Sequence, residues 1–226
     1  MRFVFLTMMF TGLALSGICQ RTNNTSSGNS DPSAKVLLDK LKSKFDSYKS
    51  MEMNFEFQLE LPGKPIEIQK GKLIQDGKKY AIVMKDQEIY ADGSQTWLYL
   101  KSRKEVQISD FEDGDNDAFL SPKQMLALYS KGDYEYAIAE ERKVGKSTFT
   151  DIEFKPLKKN NEITKLRLTI IKTTNNMVSL RVFLRDGNRY LLKMDSLVPN
   201  KKYTHDTFIL NTKELKGVHI EDLRME

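Results

Sequence analysis

The chain has 226 residues, 39% of them hydrophobic and 30% charged, with a formal net charge of +5. This balance suits a globular protein with a real core. The cationic excess is spread over scattered lysines, with no basic run long enough for a nucleic-acid patch.

The first segment has the layout of a secretory signal. Arg2 supplies the positive end, Phe3 to Leu15 is almost wholly apolar, and Ser16 and Gly17 follow as small residues. The stretch is too short to span a bilayer. Cleavage between Cys19 and Gln20 would put Gly17 and Cys19 at the small-residue positions, making residues 1–19 a signal peptide. The rival reading is a lipobox at Cys19, but that motif wants a small residue where Ile18 stands. Cleavage after Cys19 leaves no cysteine, which removes disulfides, thiol nucleophiles and thiolate metal sites together. Residues 20–30 are rich in Asn, Ser and Thr and read as a disordered linker. The Asn24-Thr25-Ser26 sequon would matter only in a eukaryotic secretory path.

A single domain is expected over residues 31–226. Asp31-Pro32 suits an N-cap and first helical residue. Val36, Leu37, Leu38, Leu41, Phe45 and Tyr48 then recur at helical spacing, which predicts an amphipathic helix. From Met51 to Leu61 every odd position is apolar and every even one polar, so this strand has one dry and one wet face. Shorter alternating runs follow at Tyr80-Ile82-Met84, Tyr134-Tyr136-Ile138, Leu166-Leu168-Ile170 and Val178-Leu180-Val182-Leu184. Turns at Pro62-Gly63, Asp76-Gly77, Asp92-Gly93, Asn160-Asn161, Asn175-Asn176 and Asp186-Gly187 separate them. Ser121 to Gly132 reads as a second helix, with Ser121 and Gln124 as a capping box and Pro122 at its first position. Its stripe is Met125, Leu126, Leu128 and Tyr129. The expected fold is mainly β with α: one large antiparallel sheet curled into a barrel or half-barrel, with two helices.

Catalytic chemistry finds no support in the residues. His205 and His219 stand outside any metal-ligand or triad spacing. Gly145-Lys146-Ser147 looks like the end of a phosphate loop, but the earlier glycine is replaced by Glu140. Glu112, Asp113, Asp115 and Asp117 resemble the start of a calcium loop, yet Ala118 and Gln124 occupy its glycine and glutamate positions. No catalytic site, metal or cofactor is expected, and no nucleic-acid partner. The remaining feature is an apolar interior. Met51, Met53, Met84 and Met125 fall on its faces, and methionine suits an adaptable apolar site. A methionine stripe is also ordinary core, and alternation alone leaves both readings open.

Several segments, in order, resemble the LolA family of periplasmic lipoprotein carriers, in particular its Bacteroidetes-like members. They are the helix Ala34 to Ser47, the strand around Phe55-Glu56-Phe57, and the strand start Gly71-Lys72-Leu73. The most specific is the hairpin from Tyr90-Ala91-Asp92-Gly93 to Trp97-Leu98-Tyr99, followed by Val106-Gln107. The Ser121 helix and the ending Phe208 to Asn211, then Gly217 to Arg224, complete the series. The resemblance implies an unclosed β-barrel with both helices forming a lid. It implies a soluble, monomeric periplasmic chaperone that takes lipoprotein acyl chains from an inner-membrane ABC transporter to an outer-membrane acceptor, whose identity it leaves open. On that reading Met53, Phe55, Phe57, Leu59, Ile82, Met84, Trp97, Tyr99, Met125 and Leu128 line the acyl cavity. The family's lid-latching Arg-Pro pair is missing, since Gln75-Asp76-Gly77-Lys78-Lys79 stands in its place. A lipid-sensing or structural interaction module on the same half-barrel is the alternative, and a hydrolase the third reading.

Overall fold

Period-two alternation dominates the chain, and the structure meets it with twelve strands. The computed structural model describes residues 30–111, 126, 129–158 and 161–224. The expected leader, almost all of the linker and the acidic cluster at 112–117 lie outside the described residues. The helix α1 (Pro32–Asp46) is followed by β1 (Ser50–Glu60), β2 (Glu67–Asp76), β3 (Lys79–Met84), β4 (Gln87–Ala91), β5 (Gln95–Leu100) and β6 (Glu105–Asp110). Then come β7 (Tyr134–Val144), β8 (Ser147–Pro156), β9 (Ile163–Ile171), β10 (Asn176–Leu184), β11 (Arg189–Pro199) and β12 (His219–Asp222).

All twelve belong to one sheet, in the order β12-β6-β5-β4-β3-β2-β1-β11-β10-β9-β8-β7. Two antiparallel meanders are therefore joined along a single seam, where β1 pairs with β11. The last strand departs from the pattern, because β12 runs parallel to β6. β7 and β12 stand at opposite edges, so the sheet is unclosed.

The helix forms where the sequence places it. Asp31 caps it by accepting from the Ser33 N–H at 2.8 Å, and Pro32 supplies the first residue. Ala34, Leu37, Leu38, Leu41 and Phe45 are buried, while Val36 points away and is exposed. Asp31 also tends the sheet edge. Its N–H donates to the Tyr136 carbonyl at 2.8 Å, and its Oδ2 accepts from the Ile138 N–H at 3.3 Å. Farther along β7, a bulge between Ile138 and Glu140 and the run Glu140-Glu141-Arg142-Lys143 discourage strand addition. The far end of α1 is tied down by Lys44, whose ammonium donates to the Thr174 carbonyl at 3.2 Å and also to Asn176 Oδ1.

Of the expected second helix, Ser121–Gly132, only Leu126 and residues 129–132 are described. Leu126 is helical and buried, and Tyr129–Lys131 form one 3₁₀ turn. The Tyr129 hydroxyl donates to Asp39 Oδ1 on α1 at 3.0 Å. Burial, followed by that carboxylate, pushes the Tyr129 hydroxyl up to about 12.

Cross-strand partners share a face of the sheet, so the ladder registers separate inside from outside. The inner face carries Met53, Leu73 and Ile82 in one row, and Leu180, Leu168 and Ile152 in another. α1 lies against this face, and these residues form the main core. The outer face over the seam is a charge ladder. Lys193 donates to Glu56 at 2.9 Å, and farther out, between β8 and β9, Arg167 and Lys165 share Glu153. Outside β4 to β6 the surface is apolar instead. Trp97, Val106 and Leu210 are buried together there beneath residues 203–218, with Ile209, Leu215 and Val218 packed alongside.

Glu52 anchors the start of that covering segment. It accepts from Lys201 Nζ and from the Tyr203 hydroxyl, each at 2.9 Å, and pairs with Lys72 at 3.1 Å. Lys201 first, then Tyr203 and Lys72, pull its carboxyl down from 4.5 to about 2. A depressed carboxylate stabilises the fold above its unfolded value, and the contribution disappears as pH falls from about 4.5 through about 2. Glu52→Gln should therefore flatten the acid limb of the melting-temperature profile in that window and leave its neutral-to-alkaline shape unchanged. Thermal melts of both proteins across the acid range measure this.

Candidate functional site

The inner face is the place to look for function, because it is a large apolar surface that one helix covers unevenly. At the end of the sheet near the start of β1, Met51, Met53 and Phe55 are almost wholly enclosed by α1 and by β2, β3 and β11. Toward the end of β1 the cover thins. Phe57 and Leu59 are half-buried, as are Val182, Leu184, Tyr190 and Ile163 beside them. Phe57 stacks on Tyr190 with ring centroids 5.8 Å apart and planes 18° from parallel. The strict alternation of β1 is thus one continuous apolar track, sealed at one end and half-open at the other.

A glycine makes the sealed end possible. Gly71 pairs with Phe55 on one side and Met84 on the other, so a side chain there would point into the interior. A Cβ at Gly71 would lie 2.8 Å from Phe55 Cε2 and 2.9 Å from Met84 Cγ. The Phe55 ring therefore lies over bare backbone of β2, in space that only glycine leaves free.

The ten residues expected to line a cavity divide into three groups. Met53, Phe55, Ile82 and Met84 are buried in the main core, with Phe57 packed against it. Leu59 shares their face, as β1 parity requires. Trp97 and Tyr99 do not join them. Trp97 pairs with Tyr90 and Ile108, and Tyr90 pairs with Ala81, the neighbour of Ile82 on the opposite face. Both aromatic residues belong to the separate outer cluster beneath the C-terminal segment. The correction has a simple cause. Residues 97–100 read Trp-Leu-Tyr-Leu, apolar on both parities, so alternation cannot assign their face. Met125 and Leu128 lie outside the described residues.

Tyr190, Ile163 and Met194, absent from the expected lining, also reach the inner face around Phe57. The start of β11 after the Asp186-Gly187-Asn188 turn was available as a signal. A bulge opposite Asn54 and Phe55 then breaks the parity of β11, so Leu192 and Met194 face inward at one end and Leu197 at the other.

Polar groups reach this face at both ends: at the half-open end Gln69 stands opposite Phe57 and Glu67 opposite Leu59. Gln75 Oε1 and Thr96 Oγ1 are buried without a hydrogen-bond partner. Both lie on the inner-face row that runs from Met51 through Gln75, Tyr80 and Ala91 to Thr96, at the sealed end. Among the described residues, no group of three or more His, Cys, Asp or Glu side chains could hold a metal ion. His205 and His219 are both exposed. The arrangement offers apolar contact and adaptable methionines, which is the chemistry of binding.

No family model matches the chain. No curated protein matches it either. Solved structures do resemble it. An uncharacterized conserved protein from Thermus thermophilus superposes with a TM-score of 0.53 at 10% identity, over 85% of this chain and 99% of that one. LprF from Mycobacterium bovis gives 0.47 at 10% identity, over 79% of this chain and 99% of that one. A LolA superfamily protein from Nitrosomonas europaea gives 0.41 at 11% identity, over 79% and 98% of the two chains. At these identities the likeness concerns the fold, and it is distant.

Gly71→Ala should destabilise the protein by about 1–3 kcal/mol, the usual cost of forcing a methyl group into a packed interior. Shortening the ring that blocks it, with Phe55→Leu in the same chain, should recover part of that loss. Urea denaturation of the two single variants and the double variant reads both effects, and strict additivity would show that the Gly71–Phe55 contact is not the cause.

Proposed function

We propose that this chain is a carrier that binds the acyl chains of lipoproteins on the inner face of its sheet and conveys them across the periplasm to the outer membrane. The observation that carries the reading is the graded apolar track of β1. Met53 and Phe55 are sealed under α1, while Phe57 and Leu59 on the same face are left half-exposed beside Val182 and Tyr190. A finished core would bury all four, since each such side chain gains about 1.5–3 kcal/mol from full burial. An acyl chain gains ~0.8 kcal/mol per methylene removed from water, so a long one supplies the missing cover with energy to spare.

Three further features support the reading. The unclosed edges β7 and β12 leave the sheet room to widen around a guest. Met51, Met53, Met84, Met177 and Met194 on or against the inner core can re-pack as chain length varies. The ordered series of LolA-like segments, from the first helix to Gly217–Arg224, supplies the cargo class and the direction of transfer. Among the described residues, no helix is long and apolar enough to cross a membrane. The releasing partner on this reading is an inner-membrane ABC transporter.

The test is to incubate the protein with inner-membrane vesicles carrying acylated lipoprotein, then to identify whatever it retains by mass spectrometry. The carrier should release and hold the acylated form. Phe57→Asp should lower retention by at least about tenfold, since it sets an unpaired charge in the binding surface. Trp97→Phe, on the other side of the sheet, should leave retention unchanged. An empty protein with no lipoprotein released from the vesicles would sink the proposal.

A further inference from the structure

The outer face of the same half-open end carries a second surface. There β1 and β2 turn through Leu61 to Ile66, and the β10–β11 turn packs against them, with Gly187 close beside Pro62. Ile66 and Ile68 are each 54% exposed on this hairpin. Ile68 pairs with Gln58, and Gln58 with Leu191, which places its side chain on the outer face. Two exposed isoleucines one strand-repeat apart form a patch, unlike the scattered single exposures that any surface shows.

Cations frame the patch. Lys64 sits on the turn and Lys70 one step down the outer face of β2. Across the seam, Arg181 and Arg189 share a single carboxylate, Glu60, at 3.1 and 3.8 Å. Among the described residues, Lys64 has no ion-pair partner. Glu56 faces Lys70 but already accepts from Lys193, so the local balance stays positive around the aliphatic and proline side chains. That combination matches the boundary between anionic headgroups and acyl chains: aliphatic tips enter it and lysines remain at the headgroup level.

We propose that this hairpin corner, with Ile66 and Ile68 as its inserting residues and Lys64 and Lys70 as its charges, docks the protein on an anionic lipid bilayer. The inference rests on the acyl-carrier reading in one respect. Docking at this corner brings the half-open end of the inner face to the headgroups, where a chain would enter or leave. The occupant is a lipid surface rather than an acidic protein, because the two isoleucines stand between the cations and their polar neighbour Gln58, opposite Ile68, already donates to Glu56.

The test is flotation of the full-length protein with phosphatidylglycerol-containing vesicles and with phosphatidylcholine vesicles. Binding should require the anionic lipid and weaken as salt rises. Each lysine facing an anionic surface strengthens partition about fivefold, so Lys64→Glu with Lys70→Glu should lower it by more than about tenfold. Ile66→Asp with Ile68→Asp should do the same, whereas Val144→Asp, another exposed aliphatic position, should have no effect. Equal binding by all these variants, equal binding to both lipids, or no binding at low salt would overturn the proposal. Retention of an acylated lipopeptide, measured without vesicles, separates the two readings. It should survive the Ile66 and Ile68 changes, and losing it in the parent protein would defeat the carrier reading alone.

Discussion

Almost everything in this molecule depends on how α1 meets the inner face of the sheet. A sheet with β7 at one end and β12 at the other has no closure to hold its curl. Leu37, Leu38, Leu41 and Phe45 fill the hollow at one end, against Met53, Phe55 and the inner residues of β8 and β9. Three polar attachments fix the helix in that position: Asp31 to β7, Asp39 to Tyr129, and Lys44 to the β9–β10 turn. Their contribution is direction more than energy. Each is a hydrogen bond of modest net strength, but together they decide which stripe of the helix faces the sheet and how far along the track it reaches. The half-open end beyond Phe57 exists because the helix stops covering there.

The two faces of the sheet solve different problems. Inside, apolar rows from both meanders meet at the seam. Outside, the same strands carry Glu52, Glu56 and Glu60 opposite lysines and arginines. These pairs are largely solvated and individually weak. What they secure is register: a slip of one residue along β1 would bring Glu56 inside and put Phe55 in water. Beyond β3 the chain changes tactic and covers the outer face with its own C-terminal segment, so the outer side of β5 and β6 is apolar as well.

Legibility in the sequence followed this division. β1 is legible almost to the residue because one of its faces is dry and the other wet. The inner rows of β3, β7 and β9 were legible for the same reason, and α1 was legible from its cap and its stripe. The face on which Trp97 and Tyr99 lie was not, since parity carries no information once both faces are apolar. The alternating run Val178-Leu180-Val182-Leu184 puts Val178 on the face of Leu180, but the irregularity between Met177 and Ser179 turns Met177 inward instead. A single inserted residue leaves no mark in composition. The parallel β12 and the cover over Trp97 depend on contacts between distant segments, which periodicity within one strand cannot express.

The seam between β1 and β11 also governs how the molecule comes to exist. Lys193 meets Glu56 across 137 positions of chain. The first meander can form from local hairpins as soon as it is available, yet one long side of β1 stays unpaired until nearly the whole polypeptide has arrived. Until then Met53 and Phe55 lie on an open, hydrogen-bonding edge, the kind of surface that recruits other unfinished chains. The strand that removes this exposure, β11, is the last but one to emerge. Assembly is therefore gated by arrival of the C-terminal third, and a chain that stalls before β11 leaves a sticky half-sheet rather than a smaller version of the protein.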